Sequence, residues 1–138
     1  MVTDNENFEQ FTPYVKQSDV ERIAEGSIIN YQDLDFPLPI GDRYYKLHIL
    51  RAVENTNTER VFRSTWTYVK GSGNIKDTYG SWTLKDYDQG KTLVTYVCCT
   101  DPGSRVPKWA LNMATKISLP QVIDRVRQRV KYPKYEDQ

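Results

Sequence analysis

Residues 100–130, TDPGSRVPKWALNMATKISLPQVIDRVRQRV, are the stretch of this chain where apolar residues recur at helical spacing for many turns. Val106, Ala110, Met113 and Ile117 follow one another at three- and four-residue steps, and Ile123, Val126 and Val130 resume the stripe after Pro120. One face of such a helix must be buried, and everything before it reads as strand. The partner large enough to bury it is the concave face of the preceding sheet, so the sequence predicts an α+β fold in which a curved antiparallel sheet grips a long C-terminal helix. Asp101, Pro102 and Gly103 make a turn, Ser104 suits the helix cap, and Pro107 falls in the first turn, where backbone donors lack partners anyway. Ser118 with Gln121 resembles a capping box, and Pro120 removes a backbone hydrogen bond, so a kink or restart is expected at 118–120. Arg125, Arg127, Arg129 and Lys131 complement the negative end of the helix dipole; a solvated face is favoured over a basic membrane-docking one.

Before the helix, six segments read as consecutive antiparallel strands: 15–24, 27–36, 43–53, 60–69, 79–85 and 92–100. The third is the clearest, with Tyr45, Leu47 and Ile49 alternating against Tyr44, Lys46 and His48, one dry face and one wet. In the fourth, Phe62, Trp66 and Tyr68 share a face. Glu25-Gly26, Asn55-Thr56-Asn57 and Asp88-Gln89-Gly90 mark turns, and the two prolines of DFPLPIGDR make a corner rather than central strand. Phe8, Phe11 and Tyr14, spaced by three, suit a short helix or a loop packing rings on the domain edge. The loop at 71–74 lacks the third glycine and the following helix of a phosphate cradle.

The chain is read as one domain, 1–138, with an N-terminal segment (1–14), the sheet (15–100) and the helix (104–131). Lysine plus arginine number 19 against 18 acidic residues, which gives no support for a nucleic-acid partner. No apolar run approaches the roughly 20 residues that span a bilayer, and the polar start MVTDNENFEQ lacks a secretory core, so a cytoplasmic protein is expected. Cys98 and Cys99 are adjacent and point to opposite faces of a strand, hence free thiols. With one histidine and no Cys/His cluster, no metal and no cofactor is implied.

Catalytic candidates are few. His48 alternates onto the wet face, and Asp33 and Asp35 share the face of a short strand where exposure is favoured over chemistry. Binding candidates are richer: Tyr31, Tyr45, Leu47, Phe62, Trp66, Trp82, Tyr96, Trp109, Met113 and Ile117 come from several strands and the helix, as the walls of a hydrophobic cavity would. Arg43, at the mouth of an apolar strand, either pairs internally or anchors a ligand's carboxylate or carbonyl.

The Pro-rich corner followed by Asp42-Arg43, the Gly80-x-Trp82-x-Leu84 strand, the Lys91-Thr92-x-Val94-x-Tyr96 strand and the Asp101-Pro102-Gly103 turn leading to Val106-Pro107-x-Trp109 together resemble the START and polyketide cyclase/dehydrase superfamily of helix-grip domains (SRPBCC-type). The resemblance covers residues 8–130. It implies a lipid, sterol, polyketide or quinone-like molecule held between sheet and helix, in a carrier or, alternatively, in an aromatase/cyclase; a filled cavity in an oligomeric interaction domain is the third reading. Members of the superfamily usually begin with a further strand and helix that this sequence starts too late to supply. A shortened domain with a more open cavity is one expectation, a lost start a second, and a homodimer covering the exposed edge and pocket a third; transient membrane contact is a further partner expectation.

Overall fold

The structure, a computed structural model, describes residues 4–10, 12, 14–36, 41–71, 76–101, 103 and 106–133. Its sheet has six strands in sequence order: β1 (Val15–Ala24), β2 (Ser27–Asp35), β3 (Asp42–Asn55), β4 (Arg60–Gly71), β5 (Asp77–Tyr87) and β6 (Lys91–Asp101). Every neighbouring pair is antiparallel, as short connections between successive strands require. At the β1–β2 turn Gly26 has φ +70°, and a Cβ there would stand 2.9 Å from the Arg51 carbonyl oxygen. The β5–β6 hairpin closes through Gln89 (φ 41°) and Gly90 (φ 80°), with the Lys91 amide donating to the Asp88 carbonyl at 3.1 Å. Two successive positive φ values match the right-handed twist of the flanking strands.

Period-two alternation decides which side chains the sheet buries. Ile28, Leu47 and Ile49 form a core cluster, with Val20, Tyr45 and Trp66 packed against it. Each fully buried aliphatic of this kind contributes about 1.5–3 kcal/mol. Strand β2 presents Ile28, Asn30, Gln32 and Leu34 inward, all buried, while Tyr31 and Asp33 face out. The two inward amides are part of a hydrogen-bonded network. Asn30, 0% exposed, accepts from Gln32 Nε2 (2.6 Å) and Asn5 Nδ2 (3.3 Å) and donates to Ser18 Oγ (2.9 Å) and the Asp19 carbonyl (2.9 Å). Ser18 donates to the Asn5 carbonyl and Arg51 Nη2 to Asn5 Oδ1 (2.6 Å), which ties the 3-10 helix Asn5–Gln10 to the sheet. Such a network holds its place in a core because its members satisfy one another.

Helix α1 (Lys108–Arg129) runs unbroken through Pro120, so the expected restart at 118–120 does not occur. Pro120 is exposed, on the side where water can satisfy the carbonyl that the missing N–H leaves free. The helix begins after Pro107, in extended conformation and without a side-chain cap; the expected cap Ser104 lies outside the described residues, as do Phe11, the prolines of the 37–40 corner and the loop at 72–75. At the other end Arg129 is not on a solvated face. It is buried, donating to Gln10 Oε1 at 2.7 Å and lying 4.3 Å over the Tyr132 ring, so it docks the last turn onto the 3-10 helix. Among the described residues no helix is long and apolar enough to cross a membrane.

Candidate functional site: a cavity between sheet and helix

Between the concave face and α1 lies a cavity of about 520 Å³. Its sheet wall is built by the inward residues of five successive strands, among them Leu34, Leu47, Ile49, Trp66, Trp82 and Tyr96; Phe8 and Tyr14 line it as well. The aromatic centre follows from register. Trp82 pairs directly with Tyr96 across β5 and β6, their rings 4.4 Å apart, and Trp66 lies 5.7 Å from Tyr96. Trp66 pairs with Gly80, and a Cβ on Gly80 would overlap both the Trp66 indole and the Val97 carbonyl oxygen. The glycine thus lets the indole lie flat across β5.

Polar groups interrupt this wall: Gln32, Ser64, Thr78, Thr115 and Ser118 line it among the apolar residues, and Ser64 pairs directly with Trp82. Tyr45 donates to Gln32 Oε1 at 3.1 Å, which links the cavity wall to the buried amide network. Burial first, and the Cys98 thiol second, raise the hydroxyl pKa of both Tyr45 and Tyr96 well above the ordinary phenol value, so both remain neutral donors. Among the described lining residues, Arg43 alone carries a permanent charge. Its Nη1 donates to the Asp42 carbonyl at 2.8 Å, whereas its Nε is buried without a hydrogen-bond partner. An orphaned guanidinium N–H on an apolar wall is costly unless something else in the site accepts from it. Cys98, Thr100, Thr115 and Leu119 line the cavity while staying exposed, which puts its mouth between β6 and α1.

Of the residues the sequence singled out, Arg43, Tyr45, Leu47, Trp66, Trp82 and Tyr96 stand on this wall. The other five do not. Tyr31 faces out, donating to Asp33 Oδ1 at 3.1 Å with its ring 5.8 Å from Tyr44. Phe62 shares the concave face of Trp66 but sits two pleat repeats further along, opposite Val53, and is not among the lining residues. Trp109, Met113 and Ile117 are 60%, 48% and 46% exposed on the outer face of α1. At 100° per residue the cavity face is Leu111, Thr115, Ser118, Val122 and Val126, and Met113 stands opposite it. Thr115 is tolerated on that face because its hydroxyl bonds back to the Leu111 carbonyl at 2.9 Å. Choosing the bulkiest apolar residues misplaced the helix face. Gln32, Ser64, Thr78 and Thr115 were missed for the same reason, although the parity of β2 to β5 places the first three beside known inward residues.

His48 is on the outer face as expected, its Nε2 2.8 Å from Ser27 Oγ. Asp33 is also on that side, and Asp35 is exposed. Both cysteines are free, and no group of three or more metal-ligating side chains occurs among the described residues.

A sheet in sequence order, closed by a C-terminal helix over an apolar cavity, has known counterparts. The START domain family model matches residues 77–136, the segment from β5 through the helix. A STAR-related lipid transfer protein from Xanthomonas axonopodis superposes with a TM-score of 0.78 at 18% identity, covering 95% of this chain and 76% of that one. The chain has the START-like helix-grip fold. A START superfamily protein from Mycobacterium smegmatis gives 0.67 at 13% identity over 94% of this chain and 84% of that one. Human STARD10 gives 0.64 at 17% identity over 99% and 58%. By sequence, an uncharacterized protein of Pseudomonas aeruginosa is 33% identical over 88 residues, 59% of this chain; the match spans 43% of that relative's length, less than half of it.

Proposed function

We propose that this START-like chain binds and transfers a hydrophobic molecule bearing one acidic or carbonyl head, a lipid, sterol, polyketide or quinone-like compound, in the cavity between sheet and helix. The observation that carries this reading is the composition of the wall: a largely aliphatic and aromatic surface with scattered hydroxyls and amides, neutral phenols, and Arg43, the one cation among the described lining residues, with an unpartnered buried N–H. Apolar burial supplies most of the affinity, and Arg43, Tyr45 and Gln32 fix the head. The naming of the Xanthomonas neighbour as a lipid transfer protein supports the same class. Access is through the mouth between β6 and α1. The outer face of α1, with Trp109, Met113 and Ile117 exposed beside Lys108 and Lys116, suits brief contact with an anionic bilayer while the ligand passes. Replacing Trp109 and Met113 together by alanine is expected to slow transfer between anionic vesicles and leave affinity for soluble ligand unchanged; unchanged transfer removes this face from the mechanism.

The binding claim is tested by tryptophan fluorescence. Trp66 and Trp82 stand on the cavity wall and Trp109 outside it, so a fatty acid carrying a quencher should quench the emission of W109A and leave the W66A/W82A variant nearly unchanged. Equal quenching in both would place the ligand elsewhere. The cyclase reading requires a titratable catalytic group within the cavity, and the groups proposed for it, His48 and the Asp33/Asp35 pair, are on the opposite side of the sheet or exposed.

A further inference from the structure

The direction of the hydrogen bonds that reach the cavity wall is set by a group that can only accept. The amide of Asn30 lies 2.9 Å from the Asp19 carbonyl oxygen. A carbonyl has no proton to give, so the Asn30 atom facing it is Nδ2, and Oδ1 is left as the acceptor. Gln32, 2.6 Å from that oxygen, must present its own Nε2 to it. Its Oε1 is then the atom that faces Tyr45, and the Tyr45 hydroxyl must donate to it, across 3.1 Å. One backbone carbonyl, acting through two amides, decides where the Tyr45 proton points.

The consequence falls on the cavity, which Tyr45 and Gln32 both line. A phenol has one proton and two lone pairs. With the proton committed to Gln32, the Tyr45 oxygen offers acceptor sites alone. Opposite Tyr45 on β4 stands Gly71, which brings no side chain to bond it, and among the described residues this oxygen forms no hydrogen bond besides the one it donates. Burial holds the phenol pKa above its ordinary value, so the proton is kept. Arg43 precedes Tyr45 by two residues on the same face of β3, roughly 6.5 Å along the strand, and its Nε can only donate. The wall therefore carries an obligate donor beside an obligate acceptor. A ligand carbonyl set against Tyr45 would put two acceptors face to face, whereas a ligand hydroxyl would satisfy both partners.

We infer that Tyr45, oriented by Gln32 and Asn30, is a specificity-determining residue that selects a ligand hydroxyl: the cavity takes a long-chain acid whose carboxylate bonds Arg43 and whose chain carries a hydroxyl near that head, and it rejects the corresponding keto acid. This specificity rests on the proposed binding of an acidic lipid at Arg43 and adds to it a second polar group of opposite sense.

The test is displacement of a fluorescent fatty acid from the full chain by hexadecanoic acid, by its derivatives hydroxylated at each of carbons 3 to 6, and by the keto acid oxidised at the same carbon. At one or more of these carbons the wild type is expected to bind the hydroxy acid at least about tenfold more tightly than the keto acid. Y45F should bring that ratio close to one. Q32M frees the Tyr45 proton to turn into the cavity, so the keto acid should gain and the ratio should fall at least about threefold; if Q32M loses its circular dichroism, Y45F decides. Hexadecanoic acid separates the two claims. If the wild type binds it and R43M weakens it, but no carbon shows a hydroxyl preference, or the preference survives in Y45F or in folded Q32M, selection by Tyr45 is overturned and the acid site stands. If neither hexadecanoic acid nor any derivative displaces the probe, both fall.

Discussion

Replacing Arg43 by methionine removes the one permanent charge among the cavity's described lining residues and keeps an apolar stem of similar reach. The guanidinium's other bond, Nη1 to the Asp42 carbonyl, is exposed and local, so the fold should survive its loss. A buried Nε with no partner means that a carboxylate entering the site makes a new charge-assisted bond instead of displacing an old one. Hydrogen bonds to charged groups contribute about 1.5–3 kcal/mol. At about 1.4 kcal/mol per factor of ten, R43M should weaken a long-chain fatty acid roughly ten- to hundredfold. The alcohol of equal chain length should be weakened only slightly. R43K should recover part of the acid's affinity, as a point charge without the planar fork. Displacement of a fluorescent lipid probe, run with both ligands on all three proteins, measures the ratio. An equal loss for acid and alcohol, or none for either, would refute a head-group role for Arg43.

Asn30→Ala should cost about 2–4 kcal/mol in urea denaturation, since it leaves the amides of Asn5 and Gln32 and the hydroxyl of Ser18 short of partners in the interior; a loss below about 1 kcal/mol would mean water replaces them freely. Alkaline unfolding should also be steep. Tyr45 and Tyr96 keep their protons when folded beyond the pH at which an unfolded tyrosine loses its own, near 10. The native state then binds more protons than the unfolded one, so stability is unaffected below that pH and falls above it, by up to about 1.4 kcal/mol per pH unit for each ring. Y45F/Y96F should flatten this slope, and an unchanged slope would show that the rings titrate normally.

Six strands and a C-terminal helix were legible because alternation of two and a stripe near 3.6 are hard to confuse over runs this long. The aromatic and aliphatic centre of the cavity wall was legible for the same reason. Tyr45, Leu47, Trp66, Trp82 and Tyr96 were found by parity on strands with one clear apolar face. Tyr31 was selected for its chemistry, against the parity of its own strand, where Asn30 and Gln32 are the inward residues. On α1 the assumption that bulk points inward failed, because a helix facing a cavity need not fill it: Thr115 and Ser118 line the space, and Trp109 and Met113 are outside. Arg129 was misread because its partner, Gln10, is 119 residues away and no local pattern announces it.

The central claim, that the cavity holds a hydrophobic molecule with one acceptor head, is tested most directly by native mass spectrometry of the purified chain, followed by organic extraction of what leaves on denaturation. The account predicts a bound lipophilic mass, at one per chain, whose extract contains a carboxylate, phosphate or carbonyl. A protein that carries no such mass, and takes none up when offered fatty acids and neutral lipids in excess, would contradict it.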